Sequence, residues 1–279
     1  MKVQKWQACG NDFLVSEDPR FKPYSIYAVK ACDRHYGIGA DGVLRVDSSA
    51  IADCRMTVIN ASGSEAEMCG NGIRCVAQYV SEKLGGKEIV TVETKAGIKE
   101  VRIIEPYRKL EVDMGKATWK WSKTIELQDS VYGKKPKAPK VFKDANFIDI
   151  GNPHCVLLVE ESETDRGAVS RYGSRLERMI ELFPNGTNVE FVTLLGGNEI
   201  RVKVWERGVG RTLACGTGAC ASAYAAYQAG LLGSNKEIKV KLDGGYVHVN
   251  VADENSIKLI GPAKRICEGE YESEAEEKK

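Results

Sequence analysis

Two short stretches hold the residues best placed to do chemistry. Residues 68–77 read MCGNGIRCVA and residues 214–223 read ACGTGACASA. Each sets a cysteine, Cys69 or Cys215, ahead of Gly-x-Gly and a helix-compatible run of small and apolar residues. A helix N-terminus offers unpaired N–H groups and the positive end of the dipole, and glycine lets a ligand come close to that backbone. Such a place binds carboxylate or phosphate. It also lowers a cysteine pKa from about 8.5 toward neutrality or below. One copy is equally well a plain strand-to-helix turn; two copies with the cysteine in the same place read as one device used twice. If the two parts of the chain face each other across a cleft, one thiolate can remove a proton while the other thiol delivers one to the opposite face. That inverts a stereocentre. The anion cradle would hold an α-carboxylate and stabilise the carbanion-like transition state. No lysine lies in a recognisable pyridoxal-phosphate motif.

These motifs belong to a longer repeat, and repeats decide the fold reading before motifs do. Cys69 and Cys215 are 146 positions apart. KEIVTVETKAG from Lys87 and KEIKVKLDGG from Lys236 are 149 apart, and Gly10-Asn11 and Gly151-Asn152 are 141 apart. Three ordered matches at nearly constant offset indicate a duplicated unit about half the chain long. Each half reads as several short strands with one marked helix, Cys69–Val80 in the first and Cys215–Gln228 in the second. A further helix is predicted over Ser170–Leu182, before Pro184. The segment 116–140 shows no clear period, and the interdomain crossing is placed near its start. The expected fold is mixed α+β with two pseudo-symmetric domains, 1–116 plus 264–279 and 117–263. The final run EGEYESEAEEKK reads as solvated charge.

Composition narrows the function classes. A chain of 279 residues suggests two domains. Forty Lys+Arg against 39 Asp+Glu leaves a net charge of +1, which argues against a broad nucleic-acid surface. No apolar run approaches the roughly 20 residues a membrane helix needs, and MKVQKWQACGNDF lacks a secretory core. The expectation is a soluble, cytoplasmic protein with no membrane or nucleic-acid partner. Nine cysteines cannot all pair, and none has CxxC spacing, so reduced and mostly inert thiols are expected, with no metal site.

Other polar residues join the candidate site. Asn60 and Glu206 each stand nine positions before the repeated cysteine. Glu206-Arg207 is most simply an ion pair at a strand end, but it could instead hold an ammonium and a carboxylate. His154, one of three histidines, sits in GNPHC beside the repeated Gly-Asn and is a candidate to tune a thiol. GIGADG at 37–42 mimics a dinucleotide fingerprint but lacks the preceding strand and βαβ setting, and is rejected.

The residues as a set resemble diaminopimelate epimerases over essentially the whole chain. The matching stretches are GNDFLV (10–15), DRHYGIGADG (33–42), INASGSEAEMCGNGIRC (59–75), GNPHCV (151–156), TNVEFV (187–192), WERGVGRTLACGTGACA (205–221) and GPA (261–263). The resemblance implies two similar halves, each a strand barrel around a central helix. It also implies a cofactor-independent epimerase acting on LL- and meso-diaminopimelate in lysine and cell-wall precursor synthesis. Cys69 and Cys215 match the two acid/base thiols. Gly70, Asn71, Gly216 and Thr217 match the cradle of the reacting-end carboxylate. Asn60, Asn152, Asn188 and Arg207 match the distal-end contacts, with Glu206 on the ammonium and Asn11 completing the pocket. His154 and Glu206 are similar to the residues that tune the thiols, and the family commonly forms homodimers. The chain departs from the family pattern at Gln7-Ala8-Cys9, where His-Gly-Leu is frequent, at Gly42, where some relatives carry glutamine, and at Cys267, where some dimeric relatives carry an aromatic residue.

Three other readings compete. A proline-racemase-like enzyme shares the second motif, but its first usually has His after Cys-Gly where Asn71 stands, and proline has no use for a second carboxylate grip. A redox or binding protein would use Cys69 and Cys215 as a switchable disulfide. A zinc site from Cys69, Cys75, Cys215 and Cys220 is the weakest.

Overall fold

The structure is a computed structural model that describes residues 1–21, 26–128, 140–253 and 255–272. The chain divides into two compact units, Met1–Asp113 with Ile260–Lys279, and Met114–Leu259. The first unit contains β1 (Lys2–Ala8), β2 (Asn11–Ser16), α1 (Ile26–Cys32), β3 (Gly42–Asp47), β4 (Cys54–Asn60), β5 (Glu65–Ala66), α2 (Gly70–Lys83), β6 (Ile89–Thr94), β7 (Gly97–Glu105) and β8 (Lys109–Gly115). The second contains β9 (Thr118–Leu127), β10 (Lys140–Asp149), β11 (Pro153–Leu158), α3 (Arg166–Glu177), β12 (Asn188–Gly196), β13 (Glu199–Glu206), β14 (Gly210–Thr212), α4 (Gly216–Gln228), β15 (Glu237–Leu242) and β16 (Gly245–Asn250). After β17 (Ile257–Gly261), β18 (Lys264–Glu270) lies in the first unit, antiparallel to β1.

The pairing pattern is duplicated strand for strand. In the first unit β1 is antiparallel to β2, β2 parallel to β3, β3 antiparallel to β4, and β4 antiparallel to β5 and parallel to β6. In the second, β10, β11, β12, β13, β14 and β15 repeat the same senses in the same order. Hairpins β6–β7 and β15–β16 then follow. Each parallel step needs a crossover, and α1 and α3 supply it after β2 and β11. The fold is thus mixed α+β, strand-rich and duplicated.

A helix buried on every side belongs inside a core. Gly70 through Ser81 of α2 are buried without a break, and most of α4 from Gly216 to Ala226 is buried as well. Strands β1, β2, β3, β4, β6 and β7 pack on α2, while β10, β11, β12, β13, β15 and β16 pack on α4. Close packing uses small residues at the first turn. A Cβ at Gly72 would lie 2.8 Å from Leu44 Cδ2.

The structure corrects some of the sequence-based expectations and agrees with others. The helix expected over Ser170–Leu182 is α3 at Arg166–Glu177, because Asp165 caps it by accepting from Ala168 N at 2.7 Å. Residues 118–127 of the stretch without a clear period form β9, held by its pairing with β10, and 129–139 lie outside the described residues. Residues 268–270 of the acidic tail extend β18 against β1, and 273–279 lie outside the described residues. GIGADG joins α1 to β3, the reverse of the strand-to-helix order a dinucleotide loop requires. No helix among the described residues is long and apolar enough to cross a membrane.

One glycine sets the approach of α3 to the strand that ends at Glu206. A Cβ at Gly173 would fall 2.5 Å from Trp205 Cβ, while Trp205 Nε1 donates to Glu177 Oε2 at 2.7 Å. Gly173→Ala is expected to destabilise the protein by about 1–3 kcal/mol through overpacking. Urea unfolding followed by tryptophan fluorescence checks this, and an unchanged midpoint would contradict the packing described.

Candidate active site

In the first unit the β1–β2 hairpin, the β3 approach and the start of α2 converge. Ala8 pairs with Asn11 across a two-residue turn whose residues, Cys9 and Gly10, have φ of 51° and 79°. Positive φ at both central positions suits the right-handed twist of a hairpin. The turn places Asn11 at the start of β2. Cys69 is the N-cap of α2, extended at φ −137° and ψ 114°, and its Sγ accepts from Gly72 N at 3.3 Å. Asn11 Oδ1 lies 4.0 Å from that sulfur and accepts from Asn71 Nδ2 at 3.2 Å.

The amide directions here are fixed from both ends. Arg74, fully buried, donates to Asn71 Oδ1, to Gly70 O and to Pro262 O. Asn11 Nδ2 donates to Asp41 Oδ2 at 2.6 Å. A guanidinium only donates and a carboxylate only accepts. Asn11 therefore presents its carbonyl oxygen to the Cys69 thiol. Arg34 bridges Asp41 and Asp12 beneath this chain.

The second unit repeats the device on α4. Cys215 is the N-cap at φ −120° and ψ 119°, and its Sγ accepts from Gly218 N at 3.3 Å. Thr217 Oγ1 lies 3.3 Å from the same sulfur and accepts from Asn152 Nδ2 at 3.3 Å. Asn152 Oδ1 faces His154 Nε2 at 2.9 Å, and His154 Nδ1 faces Glu190 Oε1 at 2.7 Å. Glu206, at the end of β13, accepts from Thr212 Oγ1 at 2.5 Å and shares a hydrogen bond with Cys215.

The helix termini alone predict lowered thiol pKa values, and at Cys215 the surroundings reverse this. Burial, then the charges of Glu206 and Glu190, push the thiol well up against the bonds from Thr217 and Gly218 N. Burial, with Glu190 adding to it, also raises the Glu206 carboxyl against its bonds to Thr212 and Cys215.

The remaining candidates are placed less directly. Glu206 and Arg207 do not pair: Glu206 turns to Thr212 and Cys215, whereas Arg207 Nη1 donates to Asn185 O. Asn188, buried, is committed at both ends of its amide, donating to Pro153 O and accepting from Arg207 N. Asn60 donates to Ser64 Oγ within its own turn. Gly42 opens β3 so close to β4 that a Cβ would lie 2.6 Å from Ile59 O.

Glu190 and Arg74 are polar members of these clusters that the sequence reading left out. The signal for Glu190 was an acidic residue within the apolar run NVEFV, and for Arg74 a lone charge on a helix otherwise free of it until its last turn.

The diaminopimelate epimerase family model matches residues 3–120 and 146–266. This chain belongs to the diaminopimelate epimerase family. Its members are isomerases. The chain is 40% identical to a diaminopimelate epimerase of Caldanaerobacter subterraneus, over 98% of this chain and 100% of the relative. It is 39% identical to one of Alkaliphilus metalliredigens, over 97% of each. Among solved structures, a PhzF-family phenazine biosynthesis protein of Bacillus anthracis superposes with a TM-score of 0.68 at 17% identity, over 96% of this chain and 98% of that one. That likeness is one of fold.

Burial sorts the other thiols. Cys32 and Cys54 are pushed up to about 12, chiefly by burial, and Cys75 and Cys155 further still, while Cys267 is exposed. At pH 8 a thiol of pKa 12 is roughly one part in 10⁴ thiolate. Peptide-resolved iodoacetamide labelling at pH 8 should modify Cys267 well before Cys32, Cys54, Cys75 or Cys155. Equal labelling rates would contradict these environments.

Proposed function

We propose that the chain interconverts LL- and meso-diaminopimelate without a cofactor, with Cys69 and Cys215 as its two acid/base groups. The observation that carries this is the placing of both sulfurs as N-caps of equivalent buried helices, in a chain whose relatives are named diaminopimelate epimerase.

One cysteine, as thiolate, takes the α-proton while the other, as thiol, returns a proton to the opposite face of the same carbon. The two then end with exchanged protonation states; the swapped form runs the reverse reaction, and proton exchange with water after product release restores the starting form for the next forward turnover. The N–H groups at Gly70-Asn71 and Gly216-Thr217 hold the α-carboxylate, where the helix dipoles act most strongly as charge develops. Asn11 accepts the Cys69 proton bond and bounds the pocket. Glu206 takes the Cys215 proton, and His154 sets the neighbouring amides. Asn60, Asn152, Asn188 and Arg207 meet the distal amino-acid end, with Glu206 also facing its ammonium. Asn188 does so while keeping its two structural bonds, since an amide nitrogen has a second hydrogen. The resemblance also supports reading the enzyme as a cytoplasmic homodimer acting on a small molecule alone.

Cys69→Ser and Cys215→Ser should each lower epimerisation by about 10²–10⁴-fold. Each should retain elimination from a β-halogenated substrate analogue, which needs one base only. Chiral product analysis and halide release measure the two activities. Wild-type epimerisation in either variant would overturn the assignment, and turnover of proline without turnover of diaminopimelate would overturn the substrate.

A further inference from the structure

Glu190 lies on β12 with its side chain fully buried, and the reading above gives it no part in the reaction. Its Oε1 is 2.7 Å from Nδ1 of His154, which is also fully buried. Its Oε2 is buried and has no hydrogen-bond partner among the described residues. The carboxyl therefore bonds through His154 alone. Room for it comes from α4, where a Cβ at Gly218 would fall 2.7 Å from Oε1. The second glycine of the Cys-Gly-x-Gly motif thus serves Glu190 as well as the helix turn. The other titratable groups facing Glu190 are Cys155 on β11, Glu206 on β13 and Cys215 at the α4 cap.

We propose that Glu190 is a positioning residue for Cys215: by holding Nδ1 of His154 it fixes the direction of every hydrogen bond from the imidazole to the Cys215 sulfur. The proposal rests on Cys215 being a reacting thiol.

The direction follows from donor and acceptor inventories. Nε2 of His154 faces Asn152 Oδ1. An amide oxygen only accepts, so Nε2 carries a hydrogen. The remaining ring nitrogen shares one proton with Glu190, whichever of the two holds it. With Oδ1 committed to His154, the Asn152 amide nitrogen donates to Thr217 Oγ1. A hydroxyl has one hydrogen, and that hydrogen then points to Cys215 Sγ. Thr217 and Gly218 N both donate to the sulfur, which favours thiolate, and the thiol proton is left with Glu206. In the reversed chain Asn152 Oδ1 would take the Thr217 hydrogen, and Cys215 would lose its proton bond to Glu206 by donating to Thr217 instead. The first direction needs two protons on the Glu190–His154 pair, one shared between Oε1 and Nδ1 and one on Nε2; without the shared proton Nδ1 would have to donate to the carboxylate and a neutral ring would leave Nε2 bare, which is the reversed chain.

The direct test is the ¹⁵N NMR spectrum of the histidine rings in the intact reduced protein. His35 and His248 are solvent-accessible, and His154 is not, so three ring systems can be assigned. His154 is expected to carry its hydrogen on Nε2 around neutral pH. A bare Nε2 would overturn the proposal. The result does not depend on turnover, so it separates failure of this inference from failure of the assigned reaction. A double-mutant cycle tests the coupling. Glu190→Gln offers Nδ1 a group that either donates or accepts, and should lower kcat about tenfold with KM little changed. In a Thr217→Val background the same change should have little further effect, whereas in Thr217→Ser, which keeps the hydroxyl, the tenfold loss should return. Additive effects of Glu190→Gln and Thr217→Val would show that Glu190 does not act through Thr217.

Discussion

The sulfur-to-backbone bond at the start of each buried helix is the constraint around which the protein is built. Cys69 accepts from Gly72 N and Cys215 from Gly218 N at the same 3.3 Å. An N-cap is ordinarily an oxygen side chain, which is the stronger acceptor. A thiol in that place is a poor cap, and a thiolate is a good one. Using cysteine therefore sacrifices some helix stability for a sulfur whose ionised form the helix favours. The helix can tolerate this because its strength comes from being packed on all sides by strands rather than from its termini.

Beyond that shared bond the two units differ. In the first, a buried arginine and an aspartate fix the amides so that Cys69 meets an acceptor, the Asn11 oxygen. In the second, a line from Glu190 through His154 and Asn152 leads to the Thr217 hydroxyl beside Cys215, and the Glu206 charge acts on the same thiol. The duplicated backbone thus carries unlike side-chain circuits. Asn60 and Glu206, nine positions before each cysteine, are the clearest case of equivalent places given different chemistry: Asn60 bonds within its own turn, whereas Glu206 faces the thiol. Under the proposed two-thiol reaction the sulfurs are in opposite protonation states, which gives them reason to be surrounded differently.

Much of this was legible in the residues. The repeated Cys-Gly-x-Gly motif located both helix starts, and the matching KEI and Gly-Asn segments exposed the duplication. Each half was also readable as several short strands around one marked helix. What escaped the reading was whatever depends on distant partners. Residues 118–127 have no marked period, yet they form β9 because β10 supplies its ladder. Helix α3 was misplaced for a local reason instead: it starts earlier than its apolar pattern suggests because Asp165 caps it. The expected activation of both thiols considered the helix dipole but not the burial and the two carboxylates around Cys215. Glu190 was hidden for the same reason: only the fold brings it to His154, since 36 residues separate them.

The account's central claim is that two different thiols act on one carbon. It is tested most directly by running the reaction from LL-diaminopimelate in D₂O with reduced protein and following early turnover by NMR and chiral analysis. The account predicts meso product that carries solvent deuterium at the inverted centre from the first turnovers, because the proton delivered comes from the thiol that did not take one, while unreacted substrate keeps its α-hydrogen. Product that retains the substrate's own α-hydrogen would mean that a single group removes and returns the proton, and would contradict the account.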